Sequence, residues 1–64
     1  MDDEAFVAAV EALPAPQREA FLLQADSGLT LEEIATITQV GHETVKSRLR
    51  YAMAKLRGAM EDWQ

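Results

Sequence analysis

No cysteine occurs in the 64 residues, so neither a disulfide framework nor thiolate metal ligation is available, and the chain suits a reducing compartment. Histidine appears once, as His42; with no second imidazole and no acids clustered around it, no metal site is expected. Three scattered glycines do not make a phosphate-cradling loop. No apolar run approaches the roughly 18 residues of a membrane span, and no signal peptide is visible. The chain is also short. A domain of this size buries only about 60% of its unfolded surface and has no room for the two-lobed cleft of most enzymes. The expectation is one domain over 1–64, with no catalytic residue, metal or cofactor.

What is present is ordinary for a soluble globular chain: 48% hydrophobic and 27% charged residues. The net charge of −5 conceals two unlike halves. Residues 1–40 carry one base (Arg18) against eight acids, a balance of −7, whereas residues 41–64 carry five bases against three acids, a balance of +2. Between Gly41 and Gly58 five bases face one acid. Such asymmetry marks an end of the chain suited to a polyanion.

The periodicity is helical throughout, with no alternating β-branched run. A first helix is predicted over 3–12, capped by Asp2 or Asp3, with Phe6, Val7, Val10 and Leu13 on its buried face. Pro14 and Pro16 end it and open a second helix over 17–25, in which Ala20, Phe21, Leu22 and Leu23 are core candidates. Ser27-Gly28 closes that helix. Thr30-Leu31-Glu32-Glu33 reads as a capping box for a third helix over 31–37, burying Leu31, Ile34 and Ile37. After a turn at 38–41, a fourth helix runs over 42–59. The fold class is all-α: four helices, with a C-terminal helix-turn-helix over about 31–58 and no wing.

The fourth helix carries most of the information. At about 100° per residue, Val45, Leu49, Ala52, Met53, Leu56 and Met60 fall on one side as the core stripe. Glu43, Ser47, Arg50 and Ala54 lie opposite, with Tyr51 slightly off that line. Lys46 and Arg57 flank one edge; Thr44, Arg48 and Lys55 flank the other. A helix seated in a DNA major groove needs short or hydrogen-bonding side chains on its outermost line and cations beside them at phosphate height. Arg50 can fork onto a guanine and Glu43 can accept from a cytosine amino group. Spacing alone does not separate this from an ordinary solvated face. The short helix before it, with small Ala35 at the crossing and Ile34, Val40 and Val45 around it, adds the helix-turn-helix plan.

Other residues read plainly. Glu32 and Glu33 are adjacent and point about 100° apart, unsuited to paired acid–base chemistry. Ser27 and Ser47 have no neighbouring base to activate them. Met1, Met53 and Met60 read as core fillers or a start residue. Trp63 is expected beyond the last firm turn of helix.

Three segments carry a resemblance. Leu13-Pro14 with Gln17-Arg18-Glu19-Ala20-Phe21-Leu22-Leu23, then Gly28-Leu29-Thr30-Leu31-Glu32-Glu33-Ile34-Ala35, then Thr44-Val45-Lys46-Ser47-Arg48-Leu49-Arg50-Tyr51-Ala52 resemble, in order, region 4 of bacterial sigma-70 family sigma factors. The Thr44–Leu49 run is especially similar to the extracytoplasmic-function (ECF) group. The resemblance implies a module that reads the promoter −35 element while docked on the β-subunit flap of RNA polymerase core, with an anti-sigma protein as a further partner, on the bacterial nucleoid in the cytoplasm. It places Lys46, Ser47, Arg50 and Tyr51 in the groove, Thr44 and Arg48 near phosphates, and Thr30 at a further phosphate. Lys55 and Arg57, flanking the same face, complete the phosphate set, and Glu43 the base-reading set. Two positions depart from the pattern. Gln39 stands where many such turns place a left-handed glycine, at a cost of about 1 kcal/mol, and Tyr51 stands where several relatives carry a second arginine. The family's promoter-melting region is missing, so the chain is read as a fragment of a longer one.

Two other readings fit parts of the sequence. A protein-interaction module would use the acidic half, with Phe21 and Leu22 docking a partner helix. A LuxR-like response-regulator domain shares the turn and the start of the last helix, but Leu13-Pro14 and Ser47-Arg48-Leu49-Arg50 favour the sigma resemblance.

Overall fold

The computed structural model describes residues 3–63, with side chains over 4–61. Among the described residues there are four α-helices and no strand: α1 Asp3–Glu11, α2 Ala15–Ala25, α3 Leu31–Thr38 and α4 His42–Trp63. Met1 and Asp2, and the capping expected of Asp2, lie outside these residues.

The boundaries have local causes. Pro14 is extended (φ −56°, ψ 147°) at the N-cap of α2, and Pro16 sits in the first turn, where an N–H has no intrahelical partner to lose. The helix therefore starts at Ala15, two residues before the position predicted. At the other end Gly28 takes φ +70°, and the N–H groups of Gly28 and Leu29 donate to the carbonyls of Gln24 and Leu23, each at 3.1 Å. α4 continues four residues past the predicted end. Beyond Gly58 it is held by Met60, which is half-buried and shares a groove with Phe6, Phe21 and Leu56.

α4 is the spine of the molecule. Its 22 residues give a rod of about 33 Å, which accounts for most of the 36 Å long axis; the other extents are 19 and 16 Å. Val45, Leu49, Ala52 and Leu56, spaced four, three and four apart, are all buried and form one stripe along it. The stripe serves two clusters. Val45 and Leu49 pack with Ala20 and Ile34, surrounded by Leu23, Leu29, Leu31, Ala35 and Val40. Ala52 and Leu56 pack with Val10, Leu13 and Phe21. Adjacent Ala20 and Phe21 thus send α2 into both clusters, so that α2 fastens the helix-turn-helix to the α1 end.

Several expected core residues are not buried. Phe6 is 40% exposed, Val7 50%, Leu22 42%, Ile37 56% and Met53 44%. The reason is geometric. α1 meets α4 through Val10 and the following Leu13, so its earlier apolar residues overhang; Phe6 has an edge-on contact with Phe21, with ring centroids 6.2 Å apart. Helical periodicity selects a face, whereas the area available to cover it depends on how much of the neighbouring helix runs alongside.

Candidate nucleic-acid interface

The α3–turn–α4 unit is fixed from its own sequence outward. The Thr30 hydroxyl accepts from the Glu33 N–H at 3.2 Å, and the Thr30 N–H donates to Glu33 Oε1 at 2.9 Å, so the predicted capping box is formed. At the far end, Gln39 adopts the left-handed conformation (φ 60°, ψ 41°) and its N–H donates to Ala35 O. The Val40 N–H reaches the same carbonyl at 3.2 Å, and Val40 and Ala35 both pack on the cluster of Ala20, Ile34, Val45 and Leu49. This is the pattern that usually employs glycine at the left-handed position. Thr38 folds its hydroxyl onto Ile34 O at 2.7 Å. The Gly41 carbonyl then accepts from Thr44 and Val45 at 3.1 and 3.2 Å and opens α4. Ile34 and Val45 are fully buried at the crossing, with half-buried Ala35 beside them. The direction in which α4 presents its outer face follows from these contacts.

That outer face is open. Glu43, Thr44, Lys46, Ser47, Arg50, Tyr51, Ala54, Lys55 and Arg57 are all exposed. Among the described residues Arg18 is the only basic side chain that makes a hydrogen bond, and none of the five bases of α4 is engaged by another described side chain. The rise from Glu43 to Arg50 is about 10 Å, close to the roughly 12 Å width of the major groove. Lys55 and Arg57 lie further along the rod, where a groove-seated helix passes over the phosphate backbone. Arg48 differs from the others. It is half-buried and leans toward α2 and the turn, lining a groove with Pro16, Leu22, Thr38, Gln39 and Val40.

Thr30 stands apart from this face. Its N–H and hydroxyl are both engaged by Glu33, and Glu32 and Glu33 already occupy the first turn of α3. Two carboxylates there satisfy the positive end of the helix and repel a phosphate, an unfavourable setting for the phosphate contact expected of Thr30.

Phe21 and Leu22, expected together at a docking surface, point differently. Both line a shallow apolar groove with Phe6, Val7 and Val10, but Phe21 is buried at its floor as part of the core, whereas Leu22 is exposed. Arg18 lines this groove too, and its Nη1 donates to Glu11 O at 3.0 Å. The charge thus caps the C-terminal end of α1, where a cation is favourable. This contact was not read from the sequence; the isolated base among eight acids was its only signal.

Among the described residues no group of three or more His, Cys, Asp or Glu comes together as a metal site, and no helix is long and apolar enough to cross a membrane.

Residues 3–56, from the first residue of α1 to Leu56 of α4, match the family described as Sigma-70, region 4. The chain belongs to this family. The resemblance read from Leu13 onward therefore extends back through α1. This region 4 domain is 41% identical over 56 residues to the ECF RNA polymerase sigma factor EcfG of Rhodopseudomonas palustris (strain TIE-1), an alignment covering 88% of the domain and 31% of that protein. The chain thus spans about a third of the length of this curated relative. No solved structure matches it significantly.

Proposed function

We propose that this region 4 domain reads the −35 element of promoters as part of an ECF sigma factor, with no catalytic role of its own. The observation that carries the reading is the outer face of α4. Glu43, Lys46, Ser47, Arg50 and Tyr51 are exposed together on a helix whose opposite side buries Val45, Leu49, Ala52 and Leu56 in the core. Arg50 would fork onto a guanine and Glu43 would accept from a cytosine amino group. Thr44, Arg48, Lys55 and Arg57, with Thr30 as a minor member, would neutralise phosphates and set the register. The name of the EcfG relative supports both the ECF assignment and action with RNA polymerase.

Residue-resolved NMR shift mapping tests this, using a short duplex with a GGAA-type element against a shuffled duplex at low salt. Selective shifts at Glu43, Ser47, Arg50 and Tyr51 are expected. Weak and identical shifts with both duplexes would reduce α4 to a general phosphate-binding face.

A second surface has its own support. The groove of Phe6, Val7, Val10 and Leu22 exposes apolar side chains in the acidic half of the chain, as expected of a seat for an amphipathic partner helix. In this reading RNA polymerase core, through its β-subunit flap, or an anti-sigma protein docks there while α4 faces promoter DNA on the nucleoid.

A further inference from the structure

We propose that Tyr51 is a specificity-determining residue whose ring packs on the C5-methyl of a thymine, so that the domain demands a T·A pair beside the pair read by Arg50. The inference rests on the promoter-reading function proposed above. Tyr51 is 60% exposed, more than Phe6, Val7, Leu22, Ile37 or Met53. Its hydroxyl makes no hydrogen bond among the described residues. An aromatic ring held in water beside the bases of a recognition helix gains by burial when DNA arrives.

Its neighbours say where the ring goes. Ser47 lies one turn before Tyr51 and Ala54 most of a turn after it, both exposed and too small to shield the ring. Lys55 is exposed on the same shoulder of the helix, four residues after Tyr51; with its charge on a phosphate, a side chain just inside it reaches base edges. Arg50 and Tyr51 are adjacent and therefore about 100° apart, on opposite sides of the Ser47–Ala54 line. They address different base pairs. A phenol cannot fork onto guanine as arginine does, and among the four bases only thymine offers a methyl group in the major groove.

The test uses the chain with a duplex carrying GGAA/TTCC flanked by A·T pairs, each thymine replaced singly by deoxyuridine, which removes the methyl and keeps the pairing. Affinities are measured by fluorescence anisotropy at low salt for the wild type, Tyr51→Phe and Tyr51→Ala, with circular dichroism to check that each folds. One deoxyuridine is expected to weaken the wild type and Tyr51→Phe about fourfold, the worth of one buried methyl, and to leave Tyr51→Ala unchanged. If Tyr51→Phe loses as much as Tyr51→Ala and no deoxyuridine distinguishes the proteins, the hydroxyl is holding a phosphate and the proposal is overturned. If the wild type binds this duplex and a shuffled one equally, the promoter-reading function fails first and the proposal falls with it.

Discussion

Arg50 and Lys55 bring the same charge to the exposed side of α4 but differ in what they can read. A planar guanidinium can make two parallel hydrogen bonds to one guanine, whereas an ammonium acts as a point charge. Arg50→Ala is expected to cost about 1–3 kcal/mol on the preferred duplex and little on a shuffled one. Lys55→Ala should weaken both equally and lower the salt slope by about 1. Anisotropy titrations on the two duplexes separate these outcomes; equal losses for both variants would remove Arg50 from base readout. Gln39 makes a different residue-level case. Its φ of 60° costs a side-chain-bearing residue about 1–2 kcal/mol, partly offset on replacement by the extra freedom of glycine in the unfolded chain. Gln39→Gly should therefore raise stability by up to about 1 kcal/mol, or a few degrees in melting temperature for a domain this small. A lower melting temperature would mean that the Gln39 side chain makes contacts worth more than the strain.

Among the elements, α4 carries an evident weakness at Gly58. A Cβ built there meets nothing within 4 Å, so Gly58→Ala should stabilise the domain by about 0.5–1 kcal/mol without altering DNA binding; a thermal melt reads the gain. At the groove between α1 and α2, two residues that the sequence suggested as a pair differ in burial: Phe21 belongs to the core and Leu22 is exposed. Phe21→Ala opens the α1–α2–α4 core and should cost about 3–5 kcal/mol, enough to unfold a small domain. Leu22→Ala should leave the circular dichroism melt within about 1 kcal/mol of wild type and weaken binding of a partner helix; retained binding would move the docking surface elsewhere. Those two neighbours illustrate what was legible beforehand. Element types, the capping box at Thr30, the left-handed Gln39 and the four-three-four spacing of Val45, Leu49, Ala52 and Leu56 are local signals, and local signals survive into the fold. The exposure of Leu22, Phe6 and Ile37 was not legible, because it depends on where each helix runs off the edge of its neighbour. The Arg18 cap on Glu11 O was hidden for the same reason, as a contact between two helices whose relative placement no pattern encodes. On α4 the outward face could be read in advance, since a single helix fixes the order of its own side chains; the inward lean of Arg48 could not.

At the scale of the whole molecule, charge decides how this reader can work. The first 40 residues hold a balance of −7, and the segment from Gly41 to Gly58 a balance of +4. A duplex approaching from a distance meets the net −5 before it meets α4, so long-range steering opposes association. At contact, the bases of α4 still release counterions. If about four of the five reach phosphates, the logarithmic salt slope is roughly −3.6, and raising salt from about 50 to 200 mM should cost roughly a hundredfold in affinity. The isolated domain is accordingly expected to bind with a dissociation constant no tighter than about 10 µM at physiological salt, within the range of non-specific DNA binding. The proposed docking on polymerase would change that arithmetic without adding a DNA contact. A reader held near the promoter experiences an effective concentration of order millimolar, enough to saturate a site of 10 µM. Under that proposal the acidic half would disfavour DNA binding by the free domain, and a partner that covered or tethered it would offset the penalty. Anisotropy titrations of the domain alone across this salt range provide the check. A tight complex that is insensitive to salt would show that α4 needs no tether and that the charge of residues 1–40 has no bearing on recognition.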